Sequence, residues 1–263
     1  MKLEALHADK YNGSFSFSGT SNAYINAIRR YIVNKVPTMA IEDVTFVENG
    51  SALYDEMLAH RMGLVPFKTD AGSYNVRSEC KCKGSGCARC QLTMTLNKTG
   101  PCMVYAEHIK TKDPKVVPVH PKMPLAKLFE GQTIKAEMVA ILGNGKEHIK
   151  FSPGLVFFQG YPSFKIKEAK NAKECAEICP KGILKFDGKK LKVTDEAKCD
   201  LCKACEDMCP DGIKVEASTE DFILTVESWG QLTLKEIFTS AAEEFDKDLD
   251  ELDEEIKGLK PEK

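Results

Sequence analysis

The sequence predicts an α+β fold with a mainly-β middle and a small cysteine-rich insert. Three observations point there. Apolar residues recur at steps of three and four near both ends of the chain, the helical interval. Between these stretches lie short alternating runs broken by turn residues, and the cysteines gather in clusters instead of scattering.

In chain order, Phe15 to Phe17 alternates as a short strand, after which Thr20 or Ser21 can cap a helix. Tyr24, Ala27, Ile28, Tyr31 and Ile32 form that helix's apolar stripe, and Pro37 ends it. Met39 to Val47 reads as a strand. A second helix spans Tyr54 to Met62, with Gly63 just past its end. From Ser73 the pattern is strand-like, with Leu92 to Leu96 alternating cleanly, a short helix at Leu125 to Phe129 and a strand at Ile134 to Leu142. His148 to Pro162 closes this middle part. Leu184–Phe186 and Leu191–Val193 form a hairpin about Asp187-Gly188. Asp221 to Glu227 returns as a strand. The last helix starts at a Thr233 cap, and its stripe runs through Leu234, Ile237, Phe238, Ala241, Phe245, Leu249, Leu252, Ile256 and Leu259. A stripe reaching so far beyond the last strand favours packing against another chain over packing within its own domain. The acidic faces between Glu243 and Glu255 read as solvated.

Within Ser163 to Glu216, Cys199-x2-Cys202-x2-Cys205-x3-Cys209-Pro210 has the spacing of a bacterial-type ferredoxin, and Cys175-x3-Cys179-Pro180 is the tail of a second copy. Counting back from Cys175, the missing ligand positions fall on Ala169 and Ala172. Since the fourth cysteine of each run ligates the other run's cluster, Cys179, Cys199, Cys202 and Cys205 make one full set. Cys175 and Cys209 alone cannot hold a second. One 4Fe-4S cluster is expected. Cys175 and Cys209 should lie together as thiols or as a disulfide, the latter if their Cα atoms come within about 4.4–6.8 Å. A zinc site or simple buried thiols is the plainer reading of the set.

Cys80-x-Cys82-x4-Cys87-x2-Cys90 places four thiols around Gly84 and Gly86. Four tetrahedral ligands from one loop suit structural zinc, Zn2+. A second iron–sulfur centre fits less well, because the Cys-x-Cys pair departs from ferredoxin spacing. Cys102 reads as a small core residue.

At 263 residues and 43% hydrophobic, the chain suffices for two or three domains. Its 37 basic and 39 acidic residues leave a net charge of -2, which gives no global reason for direct nucleic-acid affinity. No apolar run approaches the ~20 residues of a membrane span, and the start lacks the apolar core of a signal peptide. Eleven clustered cysteines then read as metal ligands in a reducing cytoplasm. No Ser–His–Asp arrangement, phosphate-binding loop or dinucleotide motif occurs. His60, His108, His120 and His148 are scattered, so no catalytic residues are expected.

Asn26-Ala27-Ile28-Arg29-Arg30, Val36 to Ile41, Asp55 to Pro66, Phe151-Ser152-Pro153 and Val226 to Gly230 together resemble the archaeal D-type family of DNA-directed RNA polymerase subunits. That family is related to the eukaryotic third-largest subunit and the amino-terminal region of bacterial alpha. The resemblance implies a discontinuous alpha-type dimerisation domain of residues 1–45 and 217–263. It also implies an inserted mainly-β domain of 46–162 carrying the zinc-like loop, and a ferredoxin-like 4Fe-4S domain of 163–216. It further implies pairing with the small subunit L, then assembly with subunits N and P and the two large catalytic subunits, with DNA contact only indirect. Arg29 and Arg30 match the helix that faces a large subunit in the family; Phe238, Phe245, Leu249 and Leu252 are the expected interface residues of the last helix. The competing class is an electron-transfer subunit of an oxidoreductase, prompted by the insert alone.

Overall fold

The computed structural model describes residues 1–70, 72–167, 171–188 and 190–259. It begins with β1 (Lys2–Ala8), β2 (Asn12–Ser18), α1 (Asn22–Lys35), β3 (Thr38–Asn49) and α2 (Asp55–Gly63). Next come β4 (Leu92–Thr99), β5 (Cys102–Tyr105), β6 (Lys110–Thr111), β7 (Pro124–Leu128), β8 (Thr133–Gly143) and β9 (Gly154–Ile166). The cysteine-rich part holds α3 (Ala172–Glu177), β10 (Leu184–Phe186), β11 (Leu191–Val193) and α4 (Ala204–Met208), followed by β12 (Ile213–Ser228) and α5 (Leu234–Gly258). Helices mixed with several sheets make the α+β class that the patterns predict. Among the described residues no helix is long and apolar enough to cross a membrane.

One compact unit comprises residues 1–29 and 156–226. Its main sheet has the strand order β1-β2-β12-β9. β1 and β2 are antiparallel, with Leu3 opposite Phe17, Ala5 opposite Phe15 and a bulge between Ala5 and His7. β1 is exposed along its whole length, so burial leaves no alternation to betray it in the sequence. The pairing of its backbone with β2 makes it a strand. On β12, Phe222, Ile223, Leu224 and Val226 are buried, Phe222 meets Phe158 edge-on at 5.9 Å, and the Thr225 hydroxyl lies 3.1 Å from that of Ser14. β12 starts well before the expected Asp221, and β9 continues past Pro162.

Between these two strands the chain builds a second, much smaller core. The hairpin pairs Leu184 with Val193 and Phe186 with Leu191, as the Asp187-Gly188 turn predicts; Gly188 has φ +89°, a conformation that glycine adopts without steric cost. Its buried apolar residues are Ile183, Leu184, Leu191, Ile213 and Val215, joined by Cys175, Cys199, Cys205 and Cys209. Nearly half of the buried set is thiol. A core of this size is marginal on hydrophobic burial alone.

The other compact unit comprises residues 30–155 and 227–263. Its four-stranded sheet runs β3-β8-β4-β6, antiparallel throughout, with Met39 opposite Leu142 and Met94 opposite Met138. Leu58 and Met62 of α2 join Met39, Ile41, Met94 and Met138 in one core, where emptying either α2 site costs about 2–5 kcal/mol. Helix α2 includes Gly63, and Leu64 caps it by donating its N–H to the carbonyl of His60 at 3.2 Å. Gln231 donates to the carbonyl of Met39 at 3.4 Å and accepts from the N–H of Thr69 at 3.0 Å, which sets the approach to α5.

The expected helix at Leu125 to Phe129 is instead strand β7. It pairs antiparallel with β5, Cys102 opposite Leu128 and Val104 opposite Ala126. Leu125, Ala126 and Leu128 are buried, and Lys127 is exposed. So short an apolar run carries no decisive period, and the free edge of β5 decides the outcome.

Candidate metal centres and the docking helix

The insert positions its cysteines by short helices and strained turns. Cys175 lies within α3 and Cys179 just beyond it; Cys199 follows a 3-10 turn at Glu196–Lys198; Cys205 lies within α4 and Cys209 caps its end. Cys202 sits between Leu201 and Lys203, both left-handed at φ 58° and 62°. Left-handed residues other than glycine are uncommon, and this pair turns the Cys202 loop toward solvent. Cys202 is exposed, Cys179 half-buried, and Cys199 and Cys205 buried. Together the four line a small recess, partly open to solvent, whose apolar wall includes Phe164, Ile183, Leu184 and Val215.

Fixed donors surround this recess. The N–H of Leu201 points at the Cys199 sulfur at 3.4 Å, and Gln159 of β9 donates to the Cys199 carbonyl at 2.7 Å. Burial pushes the Cys199 and Cys205 thiols up from their ordinary range. Metal binding there therefore displaces protons, and a cation supplies the charge that burial otherwise disfavours.

Cys175 and Cys209 are brought together, and both are free thiols. Burial first, and then hydrogen bonding with Cys209, pushes the Cys175 thiol up to about 12. Cys175 donates to the Cys205 carbonyl at 3.3 Å and Cys209 to that of Asn171 at 3.4 Å, so each sulfur has a backbone partner. Of the two missing ligand positions, Ala172 is buried at the start of α3. Ala169 lies outside the described residues.

The second cysteine group is tighter. Cys80, Cys82, Cys87 and Cys90 bring all four sulfurs within 4.8 Å of one another, and they are the only such group of potential metal-ligand side chains among the described residues. Cys80 and Cys87 are 3.6 Å apart, Cys82 and Cys90 3.5 Å, and Cys87 and Cys90 3.8 Å. A tetrahedral ion with metal–sulfur bonds of about 2.3 Å requires sulfurs about 3.8 Å apart. The donor set thus fits one ion. Left-handed Lys83, Gly84 and Gly86, at φ 51°, 81° and 89°, fold the loop back on itself. The Cys80 hydrogen bond draws the Cys82 thiol down to about 6, whereas burial pushes Cys90 up to about 12. Isolated Cys102 is half-buried against the core of this unit.

Helix α5 begins as Thr233 predicts, with a capping box. Thr233 Oγ1 accepts from the N–H of Glu236 at 3.3 Å, and the Glu236 carboxylate accepts from the N–H of Thr233 at 2.7 Å. Its first turns bury Leu234, Ile237 and Ala241, and Phe238 is half-buried. Phe245 meets Tyr31 edge-on at 4.8 Å. Asp248 accepts from the Tyr31 hydroxyl at 2.8 Å and pairs with Lys35 at 2.9 Å. After that the stripe emerges: Leu249 is 47% exposed, Leu252 51%, Ile256 56% and Leu259 74%. The expected interface residues therefore divide, with Phe238 and Phe245 packed on their own chain and Leu249 and Leu252 open.

On α1, Arg29 is half-buried, with Nε and Nη2 both donating to Asn26 Oδ1 at 3.1 and 3.0 Å, while Arg30 is exposed. Two of the scattered histidines serve the backbone. His108 accepts from the N–H of Tyr105 at 3.0 Å, and His148 from that of Lys150 at 3.1 Å. Sequence reasoning missed Tyr31, Lys35 and Asp248 as a clamp on α5, and Glu79, which pairs with Lys247 at 2.7 Å. Partners that lie 168 residues apart leave no local signal.

Residues 40–154 match the family described as the RNA polymerase Rpb3/RpoA insert domain. Most of the chain is similar to curated proteins named DNA-directed RNA polymerase subunit Rpo3. The protein from Methanosarcina acetivorans is 36% identical over 247 residues, covering 92% of this chain and 93% of the relative. That from Archaeoglobus fulgidus is 34% identical over 260 residues, 95% of this chain and 98% of the relative. That from Thermoplasma volcanium is 36% identical over 251 residues, 89% and 91%.

Proposed function

The chain belongs to the Rpo3 family of DNA-directed RNA polymerase subunits, and from that membership we propose that it is the assembly platform on which the enzyme is built. It is a structural subunit and not catalytic by itself. The electron-transfer alternative finds no support in these relatives. Residues 1–45 and 217–263 act as the dimerisation domain and pair with the small subunit L. The heterodimer then receives subunits N and P and the large catalytic subunits in the cytoplasm, with Arg29 and Arg30 facing a large subunit. DNA is contacted only through the complex.

The observation that carries this reading is the stripe on α5. Four large apolar side chains, Leu249, Leu252, Ile256 and Leu259, lie uncovered in succession on an otherwise acidic helix. Such a row in water favours a second helix.

Cys179, Cys199, Cys202 and Cys205 hold one 4Fe-4S cluster in the insert of residues 163–216. When bound, this group supplies a covalent staple between the two halves of the insert. Its support is the ferredoxin spacing and the thiol-lined recess that the four cysteines share. Cys175 and Cys209 form the thiol pair at the vacant second position. Cys80, Cys82, Cys87 and Cys90 hold Zn2+ in the domain of residues 46–162, supported by sulfur spacings of 3.5 to 3.8 Å. Replacing Cys199 and Cys202 by serine tests the division of labour. Pairing with L is expected to survive, while recruitment of the large subunits falls. Unchanged recruitment without a cluster would defeat the reading.

A further inference from the structure

We propose that Glu79 and Lys247 couple the cysteine knuckle to the projecting half of α5, so that metal binding at Cys80, Cys82, Cys87 and Cys90 strengthens pairing with the small partner subunit. The proposal rests on the knuckle and pairing readings above. Glu79 is the last residue of a 3-10 turn, Arg77–Glu79, and directly precedes Cys80. The other end of the turn is tied to the knuckle as well, since Arg77 donates to Gln91, the neighbour of Cys90, at 3.2 Å and faces Asp43 at 4.0 Å. An ion held by the four sulfurs therefore fixes the backbone one residue away from the Glu79 carboxylate.

That carboxylate accepts from Lys247 Nζ at 2.7 Å. Lys247 lies between Phe245 and Asp248, which Tyr31 and Lys35 hold. One turn of α5 is thus gripped by α1 and by the knuckle. Glu243 and Glu251 stand one turn away on the same helix, yet Lys247 reaches across to Glu79. Beyond the grip the helix carries the exposed stripe. From Asp248 to Leu259 is a lever of about 16 Å, so a swing of about 10° at the grip moves its tip by about 3 Å. A displacement of that size misaligns packed side chains.

The pair is partly exposed, 43% at Lys247 and 60% at Glu79, so its own contribution is modest. An exposed ion pair of this kind corresponds to about two- to five-fold in affinity for the partner. When the loop is not held by metal, ordering Glu79 offsets that gain. Metal occupancy and the ion pair should therefore act as one element.

The test titrates the full-length chain with subunit L and follows amide exchange of residues 249–259. Glu79→Gln, Lys247→Gln, the charge swap Glu79→Lys with Lys247→Glu, and a Cys82→Ser/Cys87→Ser knuckle variant are compared. Each is measured with zinc bound and after chelation, with iron content monitored. Expected results are a two- to five-fold weakening and faster exchange in Glu79→Gln, recovery in the charge swap, and no added effect of Glu79→Gln once the knuckle is empty. Equal losses with and without metal, or a charge swap that fails to rescue, would overturn the coupling. A parent chain that binds no zinc, or does not bind L, removes the underlying reading and the inference with it. Either failure is recognised before any variant is made.

Discussion

Truncating Leu249 and Leu252 together to alanine isolates the exposed stripe from everything that holds the chain itself together. Fully burying one leucine side chain is worth about 1.5–3 kcal/mol. These two are 47% and 51% exposed, so a partner has about half of that left to gain at each site. Each truncation should then cost about 0.7–1.5 kcal/mol of pairing, and the double variant about 1.5–3 kcal/mol, or roughly 10- to 150-fold in Kd for subunit L. Because neither side chain is buried, the isolated chain should keep its thermal midpoint to within about 2 °C, the range expected for exposed substitutions. Titration calorimetry with L measures the first quantity and differential scanning calorimetry of the unpaired chain the second. A change in Kd below about three-fold would refute the stripe as the docking face. A marked drop in the midpoint of the free chain would show instead that the stripe packs on its own domain.

Other outcomes follow from the same geometry. Asp248 is held below the usual carboxylate range, by Lys35 first and then Tyr31. Its contribution is therefore complete above the unfolded carboxylate value of about 3.9 and is lost as pH falls through the lower folded value, so the stability gap between the parent chain and Asp248→Asn should close in acid, as read by denaturant titration across that window. Cys199→Ser and Cys205→Ser, which remove buried thiols, should lower iron and sulfide per chain more than Cys202→Ser, whose thiol is exposed; elemental analysis after anaerobic purification decides this. One zinc per chain is expected in the purified protein, and Cys82→Ser/Cys87→Ser should abolish it.

What the sequence carried in local signals, the fold honours. Thr233 with Glu236 three residues on starts α5, Asp187-Gly188 closes its hairpin, and the Leu92 to Leu96 alternation becomes β4. Each depends on neighbours in the chain. β1 stayed hidden because its Leu3 and Leu6 face solvent and only hydrogen bonds to β2 define it. β7 was misread because its apolar run is too short to carry a period, and β5 supplies the edge that settles it. The knuckle was legible from spacing alone, whereas its tie to α5 through Glu79 needed the fold to bring Lys247 across. The α5 stripe was legible in full, but not the point at which it stops serving its own chain. Tyr31 and Lys35 determine that boundary from a helix far away in sequence.

Co-expression with subunit L, followed by size-exclusion chromatography with mass determination, bears most directly on the assembly-platform account. The expected product is a one-to-one heterodimer that goes on to bind the large polymerase subunits. A chain that elutes as a stable monomer in the presence of L would contradict it.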